Sequence, residues 1–312
     1  MLDTCGRQIT YLRISVTDRC NYRCRYCMPA GGVEKCAHSE VCSLEELCAM
    51  ARSAVKCGVQ KIRVTGGEPL VRRGIVDFCR MLAEIDGVKE LCLTTNGALL
   101  PQLAAPLKAA GVDRLNISLD TLRPDRFAHI TRCGALGDVL RGIEAAEAAG
   151  FEELKLNCVL LGGVNDDEIA DFVELTREKP WQVRFIERMP LGACADWGAY
   201  LPARAVPERC PELEPVGTEG VAAVYRLPGG AGTVGLITPM SHDFCGECSR
   251  IRITADGRLK PCLHSRAEIS LRGLEGVALE DAIRDGIRAK PLRHPLHGGA
   301  TETPRAMYQI GG

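Results

Sequence analysis

The sequence predicts an α/β fold whose parallel strands are covered by helices. Six apolar, β-branched runs alternate with helical patterns through the first 190 residues, and polar, glycine-rich segments follow the strands. A crowd of prolines and glycines after Met189 then sets a second region apart.

The strand candidates are residues 11–16, 61–65, 91–95, 114–119, 154–160 and 183–186. The first helix is well marked. Ser43 and Glu46 have capping-box spacing, Leu44, Leu47, Ala51, Ala54 and Val55 form an apolar stripe, and Gly58 is placed to stop it. A helix after Asn165 has the same signature, with Glu168 three residues on and Ile169, Phe172 and Val173 facing inward. Periodicity alone leaves two arrangements open, a doubly wound open sheet and a curved partial barrel. In either, sites are built at the carboxyl ends of the strands. Those ends read Thr65-Gly66-Gly67-Glu68-Pro69, Thr94-Thr95-Asn96-Gly97, Asn116-Ile117-Ser118-Leu119-Asp120 and Glu187-Arg188-Met189-Pro190.

A boundary is expected at 190/191, giving regions 1–190 and 191–312. Beyond it, residues 221–227 and 233–237 flank Pro228-Gly229-Gly230-Ala231-Gly232 as a hairpin. A second hairpin, 251–254 and 258–259 around Asp256-Gly257, would bring Cys262 back to Cys245 and Cys248.

Composition excludes several functions. The formal net charge is -1, so nothing suggests a nucleic-acid partner. No stretch approaches the roughly 20 apolar residues of a membrane span, and Met1-Leu2-Asp3-Thr4 does not read as a signal peptide. Seventeen cysteines in such a chain point to a reducing, cytoplasmic setting with clustered thiols as metal ligands.

Only two groups of cysteines are clustered. Cys20, Cys24 and Cys27 stand at C-x3-C-x2-C spacing just after the first strand. Three thiolates on one loop suit a 4Fe-4S centre and leave one iron open to a small molecule. A zinc loop with a distant fourth ligand has the same spacing. Cys245, Cys248 and Cys262 repeat the arithmetic of three. Structural zinc with His242 or His264 as fourth ligand is one reading. A second open iron is the other, and Arg250 and Arg252, at alternate positions after Cys248, suit an anionic substrate beside it.

Taken together, these motifs resemble the radical S-adenosylmethionine (radical SAM) superfamily, and within it the MoaA family of GTP 3′,8-cyclases of molybdenum-cofactor biosynthesis. The resemblance spans essentially the whole chain. It runs through Tyr11-Leu12-Arg13-Ile14-Ser15-Val16-Thr17-Asp18-Arg19-Cys20, residues 65–70, Phe185-Ile186-Glu187-Arg188-Met189-Pro190, residues 245–252 with Cys262, and the terminal Gly311-Gly312.

The resemblance implies a partial TIM barrel of (β/α)6 type with a C-terminal α+β cluster-binding domain. It implies a lyase with two 4Fe-4S clusters, on Cys20, Cys24 and Cys27 and on Cys245, Cys248 and Cys262. Tyr26, Gly67, Ser118 and Met189 would contact SAM. Arg13, Arg63, Thr94, Lys155, Arg184, Arg250 and Arg252 would contact GTP, with Arg13, Arg250 and Arg252 also catalytic. SAM cleavage would give a 5′-deoxyadenosyl radical that takes hydrogen from C3′ of GTP, and C3′ would close onto C8 of guanine. The Gly311-Gly312 tail would enter the cavity, with Arg305 carrying charge inward. Implied partners are an electron donor such as flavodoxin or ferredoxin and the downstream cyclic pyranopterin monophosphate synthase, with the chain a monomer or homodimer. One departure is Cys5, where the family usually has an aromatic residue.

Overall fold

The computed structural model describes residues 1–32, 40–192, 197–242, 244–294, 296 and 301–311. The six expected strands form within a residue of their expected bounds: β1 (Tyr11–Ser15), β2 (Lys61–Thr65), β3 (Glu90–Thr95), β4 (Arg114–Ser118), β5 (Lys155–Leu160) and β6 (Gln182–Glu187). They pair in chain order, all parallel.

The second region adds β7 (Glu214–Glu219), β8 (Ala222–Arg226), β9 (Thr233–Ile237), β10 (Arg250–Ile253), β11 (Arg258–Lys260) and β12 (Ile269–Ser270) to the same sheet. Both expected hairpins are present, as β8–β9 and β10–β11. Each docks one strand in parallel on an edge of the six, β9 on β6 and β10 on β1. Strand β7 was not anticipated, because its exposed, proline-containing sequence lacks an apolar period.

The helices of the first region are α1 (Leu44–Lys56), α2 (Ile75–Ala83), α3 (Leu100–Ala109), α4 (Pro124–Thr131), α5 (Leu136–Ala148) and α6 (Ile169–Glu178). The second region carries α7 (Ala205–Arg209), α8 (Gly276–Arg288) and α9 (Met307–Ile310). Packing runs α8 on α1, α1 on α2, α2 on α3 and α3 on α5, a continuous row over one face. That face of the strands is apolar, with Leu12, Ile14, Ile62, Val64, Leu93, Leu115, Ile117, Leu156 and Phe185 fully buried. The alternate positions Arg13, Arg63, Asn116, Lys155 and Arg184 are polar. A doubly wound sheet needs both faces apolar. One apolar and one polar face suit a barrel wall with helices outside and a wet interior.

The capping box of α1 forms, with Glu46 N donating to Ser43 Oγ (3.1 Å) and Ser43 N to Glu46 Oε2 (2.7 Å). The one expected before α6 does not. A 3₁₀ turn, Asp166–Glu168, intervenes. Asn165 faces backward, accepting from Leu161 N (2.9 Å) and donating to Asp120 O (2.7 Å) and Val159 O (2.9 Å). Ile169, Phe172 and Val173 are buried as expected.

Helices α3 and α5 approach at Gly142, where a Cβ would lie 2.1 Å from Gly97 O. Gly142→Ala is expected to lower the unfolding free energy by about 1–3 kcal/mol, read as a lower urea midpoint of the metal-free protein.

Candidate active site

The loop after β1 turns tightly at the cysteines. Cys24 O accepts from Cys27 N (3.0 Å) and Met28 N (2.9 Å), and Tyr22 N donates to Cys20 Sγ (3.3 Å). Burial pushes the Cys20 thiol up to about 11. Cys24 is raised well above the ordinary thiol value by burial, by Asp120 and by its neighbours Cys27 and Cys20. Three thiolates crowded like this repel one another unless a positive metal centre lies among them, so the donor set fits an iron–sulfur cluster.

Gly66 and Gly67 pass directly under this loop. A Cβ on Gly66 would stand 2.6 Å from Thr17 O, and one on Gly67 would stand 2.4 Å from Arg19 O. Gly67 N donates to Thr17 O (2.7 Å) and Glu68 N to Arg19 O (2.8 Å). The glycines are therefore needed where two backbones meet, a reason the sequence did not reveal.

Buried carboxylates lock the neighbouring strand ends. Glu68 Oε1 accepts from Leu70 N (3.0 Å) and Thr95 Oγ1 (2.7 Å), and its Oε2 from Asn96 N (2.7 Å). Asp120 Oδ2 accepts from Tyr26 Oη (2.7 Å) and Oδ1 from Val159 N (2.9 Å). Glu187 Oε1 accepts from Ala203 N (2.9 Å), and its Oε2 from Met240 N (3.0 Å) and Ser241 N (2.9 Å).

Cations gather on the polar face. Register places Arg252 beside Arg13 and Arg13 beside Arg63 across three adjacent strands. Arg63 Nε donates to Tyr11 Oη (2.5 Å) and its Nη1 to Thr94 Oγ1 (3.3 Å). Burial lowers Arg13 to about 10, with the Arg63 and Arg250 charges pushing the same way against Tyr11. Arg252 is lowered strongly, by burial and then by Arg13 and Arg250. Such a group of like charges is poised for a polyanion. Lys155 and Arg184 lie further round, where Glu219 on β7 engages both.

The second cysteine group lies at the other end of the strands. Cys248 stands two residues before the start of β10, which is parallel to β1 and pairs Arg250 with Tyr11. Cys20 follows the end of β1, so about 16 Å of strand separates the two ends. Burial would raise the Cys248 thiol, but Arg250 and then Lys290 hold it down at about 6. The donor set again fits a metal that takes thiolates. His294 N donates to Cys245 Sγ (3.3 Å).

The family model for the radical SAM superfamily matches residues 14–176, and that for Molybdenum Cofactor Synthesis C matches residues 181–296. The GTP 3′,8-cyclase of Moorella thermoacetica is 50% identical and that of Alkaliphilus oremlandii 48%, each over 100% of both chains. The chain belongs to the GTP 3′,8-cyclase family. Its fold is that of the radical SAM superfamily. Streptococcus suis SuiB bound to S-adenosylmethionine superposes with a TM-score of 0.65 at 15% identity, over 92% of this chain and 67% of that one.

For a GTP 3′,8-cyclase family member, the distribution of the expected site residues is informative. Tyr26 and Ser118 line one cavity of about 30 Å³ with Tyr22, Cys24, Asn96 and Asp120, while Gly67 and Met189 lie outside that lining. Arg13, Arg63, Thr94, Arg250 and Arg252 share the polar face, with the Arg250 guanidinium 5.0 Å from the Phe244 ring centre. The tail reaches this face. Arg252 Nη1 donates to Gly311 O (2.6 Å), and Gly311 stands where a Cβ would be 2.4 Å from Thr65 Cγ2. Gly312 lies outside the described residues.

Arg305 does not carry charge inward. It pairs with Asp256 (2.8 Å) and Glu268 (2.7 Å), which neutralise it. The histidines of the zinc alternative are placed otherwise too: His242 is exposed, and His264 Nδ1 lies 3.3 Å from Thr301 Oγ1. Among the described residues no three His, Cys, Asp or Glu side chains converge as ligands of one ion would. In a 4Fe-4S cluster each thiolate sits on its own iron.

Sequence reasoning missed Glu68, Asp120, Glu187 and Tyr11. The signal was an acidic residue at or just beyond the end of three strands.

Burial raises the Glu68 carboxyl to about 7, against the ordinary 4.5 and despite its three donors. Folding thus favours the protonated form, and that contribution is full below about pH 4.5 and lost as pH rises to about 7. Urea unfolding of the metal-free protein should show Glu68→Gln flattening the fall in stability across this window; an unaltered slope would remove Glu68 as its source.

Proposed function

We infer that this chain is a radical SAM GTP 3′,8-cyclase, a lyase converting GTP to 3′,8-cyclo-7,8-dihydroguanosine 5′-triphosphate in the first step of molybdenum-cofactor biosynthesis. The observation that carries the reading is one cation-lined interior with a three-cysteine group at each end.

Cys20, Cys24 and Cys27 hold the SAM-binding 4Fe-4S cluster, and Cys245, Cys248 and Cys262 hold a second. With clusters held there, the first would supply the electron for SAM cleavage and the second an open coordination position for the substrate. Tyr26, Gly67, Ser118 and Met189 are the SAM contacts. Asp120 orients Tyr26 by accepting a hydrogen bond from its hydroxyl.

GTP brings about four negative charges at neutral pH. Arg13, Arg63, Lys155 and Arg184, with Thr94, take them up, and Arg250 and Arg252 complete the site beside the second cysteine group. Arg13, Arg250 and Arg252 are the catalytic residues, holding the ribose and base so that C3′ meets C8. Arg63 and Arg252 are 4% and 7% exposed, and Arg13, Arg184 and Arg250 are half-buried, so the cations line the interior and not the outer surface. Gly311 closes it from the side of Ser15 and Thr65.

Residues 1–190 form the SAM half and 191–312 the half with the second cluster and the tail. The electron enters from a flavodoxin or ferredoxin, and the product passes to cyclic pyranopterin monophosphate synthase. The setting is the cytoplasm, where exposed thiols stay reduced, and the chain acts as a monomer or homodimer. No described helix is long and apolar enough to cross a membrane.

Anaerobic reconstitution with iron, sulfide, dithionite, SAM and GTP tests the reading. The expected result is about eight irons per chain and GTP-dependent 5′-deoxyadenosine with cyclised nucleotide. Cys24→Ser should abolish SAM cleavage and keep the second cluster's iron. Retained cleavage in that variant would sink the assignment. Arg252→Ala should weaken GTP binding about tenfold or more while SAM cleavage remains, and unchanged GTP affinity would remove Arg252 from the site.

A further inference from the structure

Two buried cations converge on the main chain around the C-terminal cysteines. Arg7 is 7% exposed. Its Nε donates to Asp3 Oδ2 (2.6 Å), Nη1 to Cys245 O (2.9 Å) and Leu292 O (3.1 Å), and Nη2 to Pro291 O (2.8 Å) and Lys290 O (3.4 Å). Asp3 is itself buried and also accepts from Cys5 N and Arg7 N, both at 2.9 Å. The guanidinium fork is thus fully used, and its charge is matched.

Lys290 differs. It is 4% exposed, and its Nζ donates to Arg250 O (2.8 Å) and Pro261 O (2.9 Å). No carboxylate among the described residues pairs with it. Burying an unmatched ammonium is unfavourable unless negative charge lies close by. Arg250 is two residues past Cys248, and Pro261 is one before Cys262. Each cysteine of the group therefore has a carbonyl, its own or a near neighbour's, held by Arg7 or Lys290.

We propose that Arg7 and Lys290 are positioning residues of the C-terminal cluster: Arg7 fixes the main chain at Cys245, and Lys290 supplies unmatched charge favouring the reduced cluster. This rests on the cluster reading of Cys245, Cys248 and Cys262. Three thiolates make the site anionic, and reduction adds a further negative charge that a buried cation stabilises. Arg7, cancelled by Asp3, acts on geometry, while Lys290 acts on both geometry and potential.

The test is an EPR-monitored redox titration of the reconstituted full chain. Lys290→Met is expected to shift the C-terminal cluster to a more negative potential and leave the N-terminal one unmoved, with Lys290→Arg restoring the wild-type value. Equal potentials in wild type and Lys290→Met, with both clusters bound, would overturn the role of Lys290. Loss of the cluster in Lys290→Met but not in Lys290→Arg supports it, because Arg keeps both the charge and the hydrogen-bond donors that Met lacks; loss in both overturns it. For Arg7, amide exchange is measured on metal-free protein. Arg7→Lys should speed exchange at 245–248 and 290–294 by about tenfold, and unchanged exchange would overturn the clamp. A wild-type protein with about four irons plus zinc would instead defeat the cluster reading itself.

Discussion

Loops leaving the carboxyl ends of parallel strands carry main-chain N–H groups that no strand partner can take, and here buried carboxylates accept them. Glu68 joins the turn after β2 to the end of β3. Asp120 joins β4 to β5 and to the cysteine loop through Tyr26. Glu168 joins the turn before α6 to Leu122 N (2.6 Å) and Thr121 Oγ1 (2.6 Å). Glu187 holds the segments around Ala203 and Ser241. The stitches run round the rim in strand order, so the thiols of Cys20, Cys24 and Cys27 stand on a braced frame. A carboxylate that accepts several donors can remain buried, whereas an unpaired one could not.

Below that rim the balance of charge reverses. Arg13, Arg63, Arg250 and Arg252 crowd one another, and burial with mutual repulsion weakens the hold of Arg13 and Arg252 on their protons. The Tyr11 hydroxyl and the Gly311 carbonyl meet part of this need with dipoles. A bound triphosphate would meet the rest. Electrostatics therefore link the two halves of the chain: β1 and β2 bring Arg13 and Arg63, and β10 brings Arg250 and Arg252 alongside them in parallel.

Much of this was legible in the residues. The three-cysteine groups were legible because ligand type and short spacing are local properties. Periodicity left barrel and doubly wound sheet open; the family resemblance implied the barrel, and the structure agrees with it in the one apolar and one polar face of Leu12-Arg13-Ile14 and Ile62-Arg63-Val64. Strand β7 was illegible, because an exposed edge strand held by main-chain pairing needs no apolar period. The cap at Asn165 was misread because its side chain finds better partners in the strand-end loops at Asp120 and Val159, and a tertiary bond outcompeted the local one.

By itself, then, the sequence determined which side chains can ligate metal and where the six parallel strands and two hairpins form, since these depend on residue type and near neighbours. Only the tertiary structure decided that the two cysteine groups face each other along a single interior. That follows from β10 docking parallel to β1, a register set by packing of Ile251 and Ile253 beside Leu12 and Ile14 between residues far apart in the chain. It also decided that Gly66 and Gly67 are needed for contact between backbones, that Arg305 is neutralised at the surface of the site, and that Arg7 and Lys290 reach the C-terminal cysteines. A long flexible side chain has no preferred partner until the fold excludes water and leaves it a single set of acceptors.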